Sequence, residues 1–199
     1  MRLVLASSSQ RRRELMSMCG YDYEIVVSNA DENIMEHDPQ KLVSALAEKK
    51  AREVYDRLIA EGTDPSELAV VGSDTVVAFN GEIIGKPRDE EDAVGILKKL
   101  SGNTHTVHTG IAVISQDSVQ QDVSTTEVRF CTLADDEINA YVASGEPTDK
   151  AGAYGIQGPF GMFVESICGN YFTIIGLPLP ILYRMLKNIG ILPTLRRID

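Results

Sequence analysis

Apolar positions follow two patterns along the chain, one typical of strands and one typical of helices. Residues 2–6 and 69–77 are apolar runs of strand length. Over residues 39–61, aliphatic side chains instead recur at helical spacing, with Pro39 at a favourable first-turn position and Gly62 at the end. The chain therefore combines strands with at least one long amphipathic helix.

The remaining segments follow the same two patterns, and an Asn80-Gly81 pair predicts a two-residue hairpin turn. The predicted strands are residues 2–6, 21–27, 69–77, 83–84, 110–114, 119–132, 161–164 and 171–175. The predicted helices are residues 11–19, 39–61, 89–100, 135–144 and 178–188. Because hairpins interrupt the alternation of strands and helices, we predict an α/β or mixed α+β fold with a mixed sheet.

Length and charge narrow the function. With 199 residues, 43% of them hydrophobic, the chain can bury the core of one domain, and we predict a single domain over residues 1–199. A net charge of −10 argues against nucleic-acid or acidic-membrane binding, which needs a positive face. An anionic ligand must therefore be bound by a local basic cluster.

Cysteine use and hydropathy bear on the compartment. Cys19, Cys131 and Cys168 form no CxxC pair, and an odd count without a signal peptide suits a reducing compartment. No stretch approaches eighteen apolar residues, so neither secretion nor a membrane span is indicated. We expect a cytoplasmic protein.

The stretch "LASSSQRRRELM", residues 5–16, concentrates three arginines where a predicted strand gives way to a predicted helix. A helix start offers unpaired N–H groups, and neighbouring hydroxyl and guanidinium groups complete a phosphate site. The alternative is that Ser7 to Ser9 cap the helix and Arg11 to Arg13 lie on the surface. Arginines in a first turn oppose the helix dipole, a penalty that an anionic ligand reverses.

A carboxylate interrupts an apolar strand in "VVGSDTVV", residues 70–77. A buried Asp74 needs hydrogen-bond partners or a metal, although it also suits a turn or a bulge. Asp31-Glu32 follows the second predicted strand and, with Asp74, could hold Mg²⁺ or Mn²⁺ through one or two carboxylates and water. The histidines have neither HExxH spacing nor cysteine partners, so zinc is not indicated.

The glycine-rich segment "GEPTDKAGAYGIQG", residues 145–158, predicts a loop whose backbone can approach a ligand closely. Its glycines do not match the GxGxxG fingerprint, and the chain contains neither a Walker motif nor GxSxG. The residues by themselves therefore indicate a phosphate site with a nearby carboxylate and leave the reaction open.

Seven segments resemble, in order and approximate spacing, those of the Maf family of nucleoside triphosphate pyrophosphatases, and together they extend from residue 3 to about residue 182. The segments are "LASSSQRRREL", "EKKAR", "VVGSDTVV", "GKPRDEEDA", "LSGNTHTVHTG", "DKAGAYGIQG" and "GLPL". The resemblance implies an elongated mixed sheet flanked by helices, with two lobes and a central cleft, similar to inosine triphosphate pyrophosphatases. It also implies a homodimer.

The resemblance assigns roles to residues of this chain. Asp74 would accept a proton from the water that attacks the α-phosphorus, and Glu32 with Asp74 would hold a divalent metal, Mg²⁺ or Mn²⁺. The residues implied to bind the triphosphate are Ser7, Arg11, Arg12, Lys50 and Lys86.

Base choice is implied to depend on Arg11, Thr75 and Gln157, a set that resembles the subgroup acting on dTTP and UTP. A glutamine amide can pair with the O4 and N3–H edge of uracil or thymine and would reject cytosine. The family usually has proline before its paired arginines, whereas this chain has Gln10. We expect this difference to alter affinity for the triphosphate.

Two hypotheses follow from the resemblance. The first is a metal-dependent enzyme that converts dTTP, UTP or modified pyrimidine triphosphates to the monophosphate and pyrophosphate. The second is a nucleotide-responsive regulator of septum formation that acts through a partner. Release of the γ-phosphate is a third possibility, which predicts orthophosphate and the diphosphate as products.

Overall fold

The structure is a computed structural model and describes residues 1–194, so the last five residues of the predicted domain lie outside the described range. The strands are β1 (Arg2–Leu5), β2 (Glu24–Ile25), β3 (Leu68–Phe79), β4 (Glu82–Ile84), β5 (Thr104–Ser115), β6 (Ser118–Phe130) and β7 (Val164–Cys168). The α-helices are α1 (Gln10–Met18), α2 (Pro39–Ala60), α3 (Glu90–Leu100), α4 (Asp135–Val142), α5 (Tyr171–Ile175) and α6 (Leu179–Asn188). Short 3-10 helices cover Pro65–Glu67, Glu146–Asp149, Ala151–Ala153 and Pro159–Phe163.

One mixed sheet organises the molecule, as the pattern of the sequence predicts. Its strand order is β2-β1-β3-β5-β6-β7, and β4 pairs with β3 outside that path. β1 pairs in parallel with β2 and β3, whereas β3, β5, β6 and β7 pair antiparallel in turn. The predicted hairpin is present, since Asn80 and Gly81 have positive φ and connect β3 to β4.

One edge of β3 is only partly covered. β5 runs along one edge of β3 from Ala69 to Ala78. On the other edge, β1 pairs with β3 as far as Val71, and β4 begins to pair at Val77. Residues 72–76 therefore face a gap between β1 and β4, and the predicted functional segment of β3 lies in that gap.

Glycines bring α2 close to the sheet. Gly72 on β3 contacts the backbone of α2, where an added Cβ would collide with the carbonyl oxygen of Ala47. Gly110 on β5 plays the same part, because its Cβ would collide with the carbonyl group of Val43. Gly110 is also the register partner of Asp74. This close approach places the middle of α2 beside the functional segment.

Core side chains form separate clusters at the two ends of the long strands. At the end where β1 pairs with β3, one cluster lies against α1 and α6, and another lies against α2 on the opposite face. A third cluster at the other end contains side chains of α3 and α4 together with Phe130 and Phe160. The molecule thus has the two predicted lobes, joined by the continuous strands β3, β5 and β6.

Several predicted boundaries are wrong. The predicted strand 171–175 is helix α5, because the Asn170 side chain caps it by accepting from the Phe172 N–H and Gly176 ends it in a left-handed conformation. The predicted strand 161–164 is mostly 3-10 helix, and the adjacent strand is Val164–Cys168. The predicted strand 21–27 retains only two strand residues. Asp74 lies within a continuous strand and not at a turn or bulge.

Candidate active site

A cleft of about 770 Å³ opens at the gap beside β3 and is lined by both lobes. Its volume lies within the range usual for small-molecule sites. The cleft contains all nine residues to which the family resemblance assigns a role: Ser7, Arg11, Arg12, Glu32, Lys50, Asp74, Thr75, Lys86 and Gln157. Asp31 does not line it. Five basic and four acidic side chains line it, so the cleft is locally basic in a chain of net charge −10.

Asp74 faces α2 and binds a lysine from it. Lys50 Nζ lies 2.7 Å from Asp74 Oδ1 and 3.0 Å from Glu32 Oε2. The Asp74 and Lys50 side chains are largely buried, at 13% and 12% exposure, whereas Glu32 is 60% exposed. A buried carboxylate needs a partner, and the Lys50 ammonium supplies one through a charge-assisted hydrogen bond.

Thr75 points to the opposite face of β3, as strand geometry requires of consecutive residues. Its Oγ1 accepts a hydrogen bond from Arg12 Nη2 at 3.2 Å. Arg12 also donates from Nε to the Gly176 carbonyl at 2.7 Å and from Nη1 to Ser7 Oγ at 3.4 Å. Asp74 and the Arg12 guanidinium thus reach the same cleft from the two faces of one strand.

Burial and charge act on Arg12 in opposite directions. Desolvation lowers the pKa of the Arg12 guanidinium below its ordinary value, and the negative charge of Asp74 opposes that shift. Arginine remains protonated at neutral pH. Three of its five N–H groups have partners among residues 1–194, which leaves two for an anionic ligand.

The N-terminus of α1 opens toward the cleft. Ser9 occupies the N-cap position, but its side chain makes no capping hydrogen bond. Ser7 Oγ accepts from the Ser9 N–H at 3.1 Å, and Ser7 is buried. The serines therefore do not simply cap the helix as the alternative proposed, and the N–H groups of its first turn remain for a ligand.

Arg11 reaches the opposite side of the cleft mouth. Its Nη1 lies 3.3 Å from Asp149 Oδ2, and Lys150 Nζ lies 2.7 Å from Asp149 Oδ1. Burial raises the pKa of Asp149, but the hydrogen bond from Lys150 and the charges of Lys150 and Arg11 outweigh this and lower it overall. This ion pair connects α1 of one lobe to the loop of the other.

Gln157 lies exposed on the loop that the glycine-rich segment predicts. The loop is held from below, since the Gly155 N–H donates to Tyr141 Oη at 3.1 Å. Glycine at positions 155 and 158 leaves room for the Glu146 carboxylate, which would have to move if either residue carried a Cβ. The segment is largely 3-10 helix and tight turns and not an open loop.

Lys86 lies exposed at the far wall of the cleft, two residues after β4. The carbonyl of the preceding Gly85 accepts from the Gly152 N–H at 3.0 Å, which fixes this wall to the loop. No ion pair to Lys86 occurs among the described residues, so its ammonium is available to a ligand.

Metal ligands are few in the part of the chain that the structure describes. Residues 1–194 contain no group of three or more His, Cys, Asp or Glu side chains that could hold an ion. His105 and His108 are buried in β5 and hydrogen-bond to Tyr154 and to threonines. The carboxylates of Glu32 and Asp74, which share one cation partner, are the oxygen pair that the sequence predicts.

Other cleft and network residues received no role from the sequence. Asp149, Lys150 and Glu146 line the cleft mouth, and Thr109 and Gly176 support Arg12 through Thr75 or directly. Four of them lie within segments that carry the family resemblance, and Glu146 lies in the glycine-rich segment just before one of these. Only the fold shows which side chains they contact.

The chain belongs to the Maf-like protein family, whose model matches residues 2–189. A relative from Clostridium acetobutylicum, named dTTP/UTP pyrophosphatase, is 43% identical over 96% of this chain and 99% of its own length. Relatives with the same name from Thermococcus kodakarensis and Clostridium perfringens are 46% and 47% identical, over 94% and 96% of this chain and 96% and 98% of their own lengths.

Among solved structures, the Staphylococcus aureus Ham1 protein gives a TM-score of 0.43 and 13% identity, covering 68% of this chain and 73% of that chain. This likeness adds nothing to the strand order given above. Within residues 1–194, none of the helices combines the length and the apolar character needed to span a bilayer.

Proposed function

We propose that this protein hydrolyses dTTP and UTP to the nucleoside monophosphate and pyrophosphate. The observation that carries the proposal is the placement of Asp74 beside Lys50 in a cleft whose other walls present Arg12 and Lys86. Relatives that share 43–47% identity over nearly the whole chain carry the name of this activity. Those names favour an enzyme over the regulator.

Binding of the triphosphate is assigned to groups that converge on the cleft. Arg12 has two free N–H donors, Ser7 lies beside it, and the N-terminus of α1 adds backbone N–H groups. Lys50 and Lys86 supply ammonium groups from α2 and from the loop after β4. Arginine suits paired phosphate oxygens, whereas lysine acts as a point charge.

The chemical step is assigned to Asp74. A water molecule attacks the α-phosphorus and loses a proton to the Asp74 carboxylate. The bond from the α-phosphorus to the bridging oxygen breaks, and pyrophosphate leaves with the negative charge. Arg12 and Lys86 neutralise that charge, and they speed the reaction to the extent that they bind the transition state more strongly than the substrate.

A divalent cation, Mg²⁺ or Mn²⁺, fits the residues present. The carboxylates of Glu32 and Asp74 both contact Lys50 Nζ, so they lie close enough together to be ligands of one cation. Mg²⁺ is commonly held by one or two carboxylates, waters and substrate phosphates. When bound, such an ion would spread the phosphate charge and polarise the phosphorus centre.

Recognition of the base is assigned to Gln157, Arg11 and Thr75, in keeping with the subgroup that the sequence resembles. Gln157 is exposed on the cleft wall, where its amide can meet the O4 and N3–H edge of uracil or thymine. Val76 and Ile156 add apolar surface to the same cleft. With the amide in the orientation that pairs with uracil, cytosine would present a donor to the amide donor and bind less well.

Product analysis tests the proposal directly. The protein is incubated with UTP, dTTP, CTP, GTP or 7-methyl-GTP, with Mg²⁺ or Mn²⁺, in water enriched in oxygen-18. We expect pyrophosphate and a labelled monophosphate from UTP and dTTP. Label in orthophosphate together with a diphosphate product would show attack at the γ-phosphorus and reject the proposal.

Two carboxylate variants separate the role of Asp74 from a general charge effect. Asp74→Asn should lower kcat by about a hundredfold or more, as expected when a general base is removed. Asp122→Asn, which removes a surface carboxylate paired with Arg184, should retain full activity. Turnover retained in Asp74→Asn would remove that residue from its assigned role.

Three further expectations belong to the same proposal. Residues 1–199 act as one domain, the protein forms a homodimer, and it works in the cytoplasm without nucleic-acid or membrane partners. Sedimentation velocity measures the oligomeric state, and a monomer across the assay concentrations would contradict the dimer.

A further inference from the structure

A chain of hydroxyl groups runs from the cleft into the interior behind Arg12. Arg12 Nη2 lies 3.2 Å from Thr75 Oγ1, which lies 2.9 Å from Thr109 Oγ1. Thr109 Oγ1 in turn lies 2.7 Å from the carbonyl oxygen of Thr173 in α5. Thr109 is fully buried, with 0% of its surface exposed. The chain links the guanidinium to β5 and to α5.

The direction of each hydrogen bond in this chain follows from its two ends. A carbonyl oxygen only accepts, so the single proton of the Thr109 hydroxyl goes to Thr173. Thr75 must therefore donate to Thr109. A guanidinium only donates, so Thr75 Oγ1 accepts from Arg12. Both ends impose the same orientation.

This orientation commits the Thr75 hydroxyl. Its proton is given to Thr109, and an acceptor site is occupied by Arg12. Space around it is also restricted, because a Cβ at Gly176 would lie 3.1 Å from Thr75 Oγ1 and 3.3 Å from Arg12 Nε. The Thr75 hydroxyl is thus directed toward Arg12 and Thr109.

We propose that Thr109 is a positioning residue for Arg12, acting through Thr75, and that Thr109 thereby sets affinity for the phosphates. The inference rests on the proposed function insofar as Arg12 binds the triphosphate. Without an acceptor at position 109, the Thr75 hydroxyl can rotate and direct its proton toward Arg12, which removes the acceptor from the guanidinium.

The probe is inorganic triphosphate, which carries the phosphates without a base. Its binding to the full chain is measured by calorimetry in the absence of turnover. Thr109→Val should weaken this binding about fivefold, the factor expected for one hydrogen bond between uncharged groups. Thr109→Ser keeps the hydroxyl and should restore binding to within twofold of the parent.

Thr75→Val and the double variant test whether the two threonines act as one unit. Thr75→Val should show a loss similar to that of Thr109→Val, and combining them should add little, because both break the same chain. The ratio of kcat/KM for UTP to that for CTP should stay within twofold of the parent in Thr109→Val, because Thr109 is fully buried and does not line the cleft. Thr75→Val also removes a group assigned to recognition of the base, so this ratio is not a readout for that variant.

Thr106→Val is the matched control. Thr106 lies on the same strand but on the opposite face, and its hydroxyl donates to the Ala78 carbonyl at 3.2 Å. The substitution also removes a threonine hydroxyl from β5, so it corrects for general loss of stability. Its affinity for inorganic triphosphate should equal that of the parent.

Three results would overturn the inference: unchanged triphosphate binding in Thr109→Val, failure of Thr109→Ser to restore it, or an equal loss in Thr106→Val. If the parent hydrolyses UTP while Thr109→Val binds triphosphate normally, only the positioning role is rejected. If Thr109→Val shows the fivefold loss but the parent releases no pyrophosphate from UTP, the positioning role stands and the proposed function is rejected.

Discussion

His105 should make the protein sensitive to mild acid. It is 2% exposed on β5, its Nε2 lies 3.0 Å from Tyr154 Oη, and its Nδ1 has no hydrogen-bond partner among residues 1–194. The Phe130 ring packs edge-on against it, with centroids 4.7 Å apart. Burial lowers the pKa of His105 to about 4, because the surrounding aromatic side chains cannot solvate an imidazolium.

The size of the effect follows from proton linkage. The unfolded chain protonates this histidine near its ordinary pKa of about 6.5, whereas the folded protein does not until about pH 4. The neutral form is the one that the fold stabilises, so the contribution is complete above pH 6.5 and is lost as the pH falls toward 4. One such group lowers the free energy of unfolding by about 1.4 kcal/mol for each pH unit between 6.5 and 4, or by about 3 kcal/mol over the whole interval.

Urea unfolding at several pH values between 7.5 and 4 measures this loss. His105→Gln keeps a polar group near Tyr154 but cannot titrate. As the pH is lowered, the free energy of unfolding of this variant should therefore decrease less steeply than that of the parent, and the difference in slope should correspond to about one proton. Burial also lowers the pKa of His108, with Asp38 opposing, but that contribution is common to both proteins and cancels in the difference.

His37→Gln removes a surface imidazole and controls for the loss of one histidine. As the pH is lowered, the free energy of unfolding of His37→Gln should decrease as steeply as that of the parent. Parallel pH dependence in the parent and His105→Gln would refute the assignment of the acid sensitivity to the buried imidazole.

Two further predictions concern the glycine contact with α2 and the cleft mouth. Gly110→Ala should lower the free energy of unfolding, measured in urea, by about 2–3 kcal/mol, because the added Cβ would collide with the Val43 carbonyl. Gly95→Ala is the control: its Cβ would lie in open space on α3, and the substitution should raise the free energy of unfolding by up to about 1 kcal/mol. Equal effects of the two would contradict the close approach of α2. Asp149→Asn removes a carboxylate that competes with phosphate for Arg11, so calorimetry should show inorganic triphosphate binding about two- to fivefold more tightly. Weaker binding would instead show that Asp149 must hold Arg11 in place.

Local signals explain which elements the sequence predicts well. Pro39 begins α2, as the pattern indicates, and Asn80-Gly81 forms the predicted turn. Segment 171–175 predicts a strand because β-branched and aromatic residues dominate it. Its Asn170 cap and Gly176 stop are helix signals, and they outweigh the β-propensity of a short segment.

The sequence by itself indicated the residues of the proposed site, because phosphate chemistry needs cationic and hydroxyl groups and the family resemblance marks where they stand. All nine residues given a role by that resemblance line one cleft. The sequence could not show that Asp74 and Thr75 work on opposite faces of β3, with Lys50 on one side and Arg12 on the other.

Tertiary structure decided those partnerships. Lys50 and Asp74 are 24 residues apart, and Thr75 and Arg12 are 63 apart. Their contact requires that β3 be left unpaired between β1 and β4 and that glycines admit α2 close to the sheet. Strand pairing and the close approach of α2 depend on long-range packing, which local composition does not encode. This packing brings the charged residues together in one cleft and decides which of them lie on each face of β3.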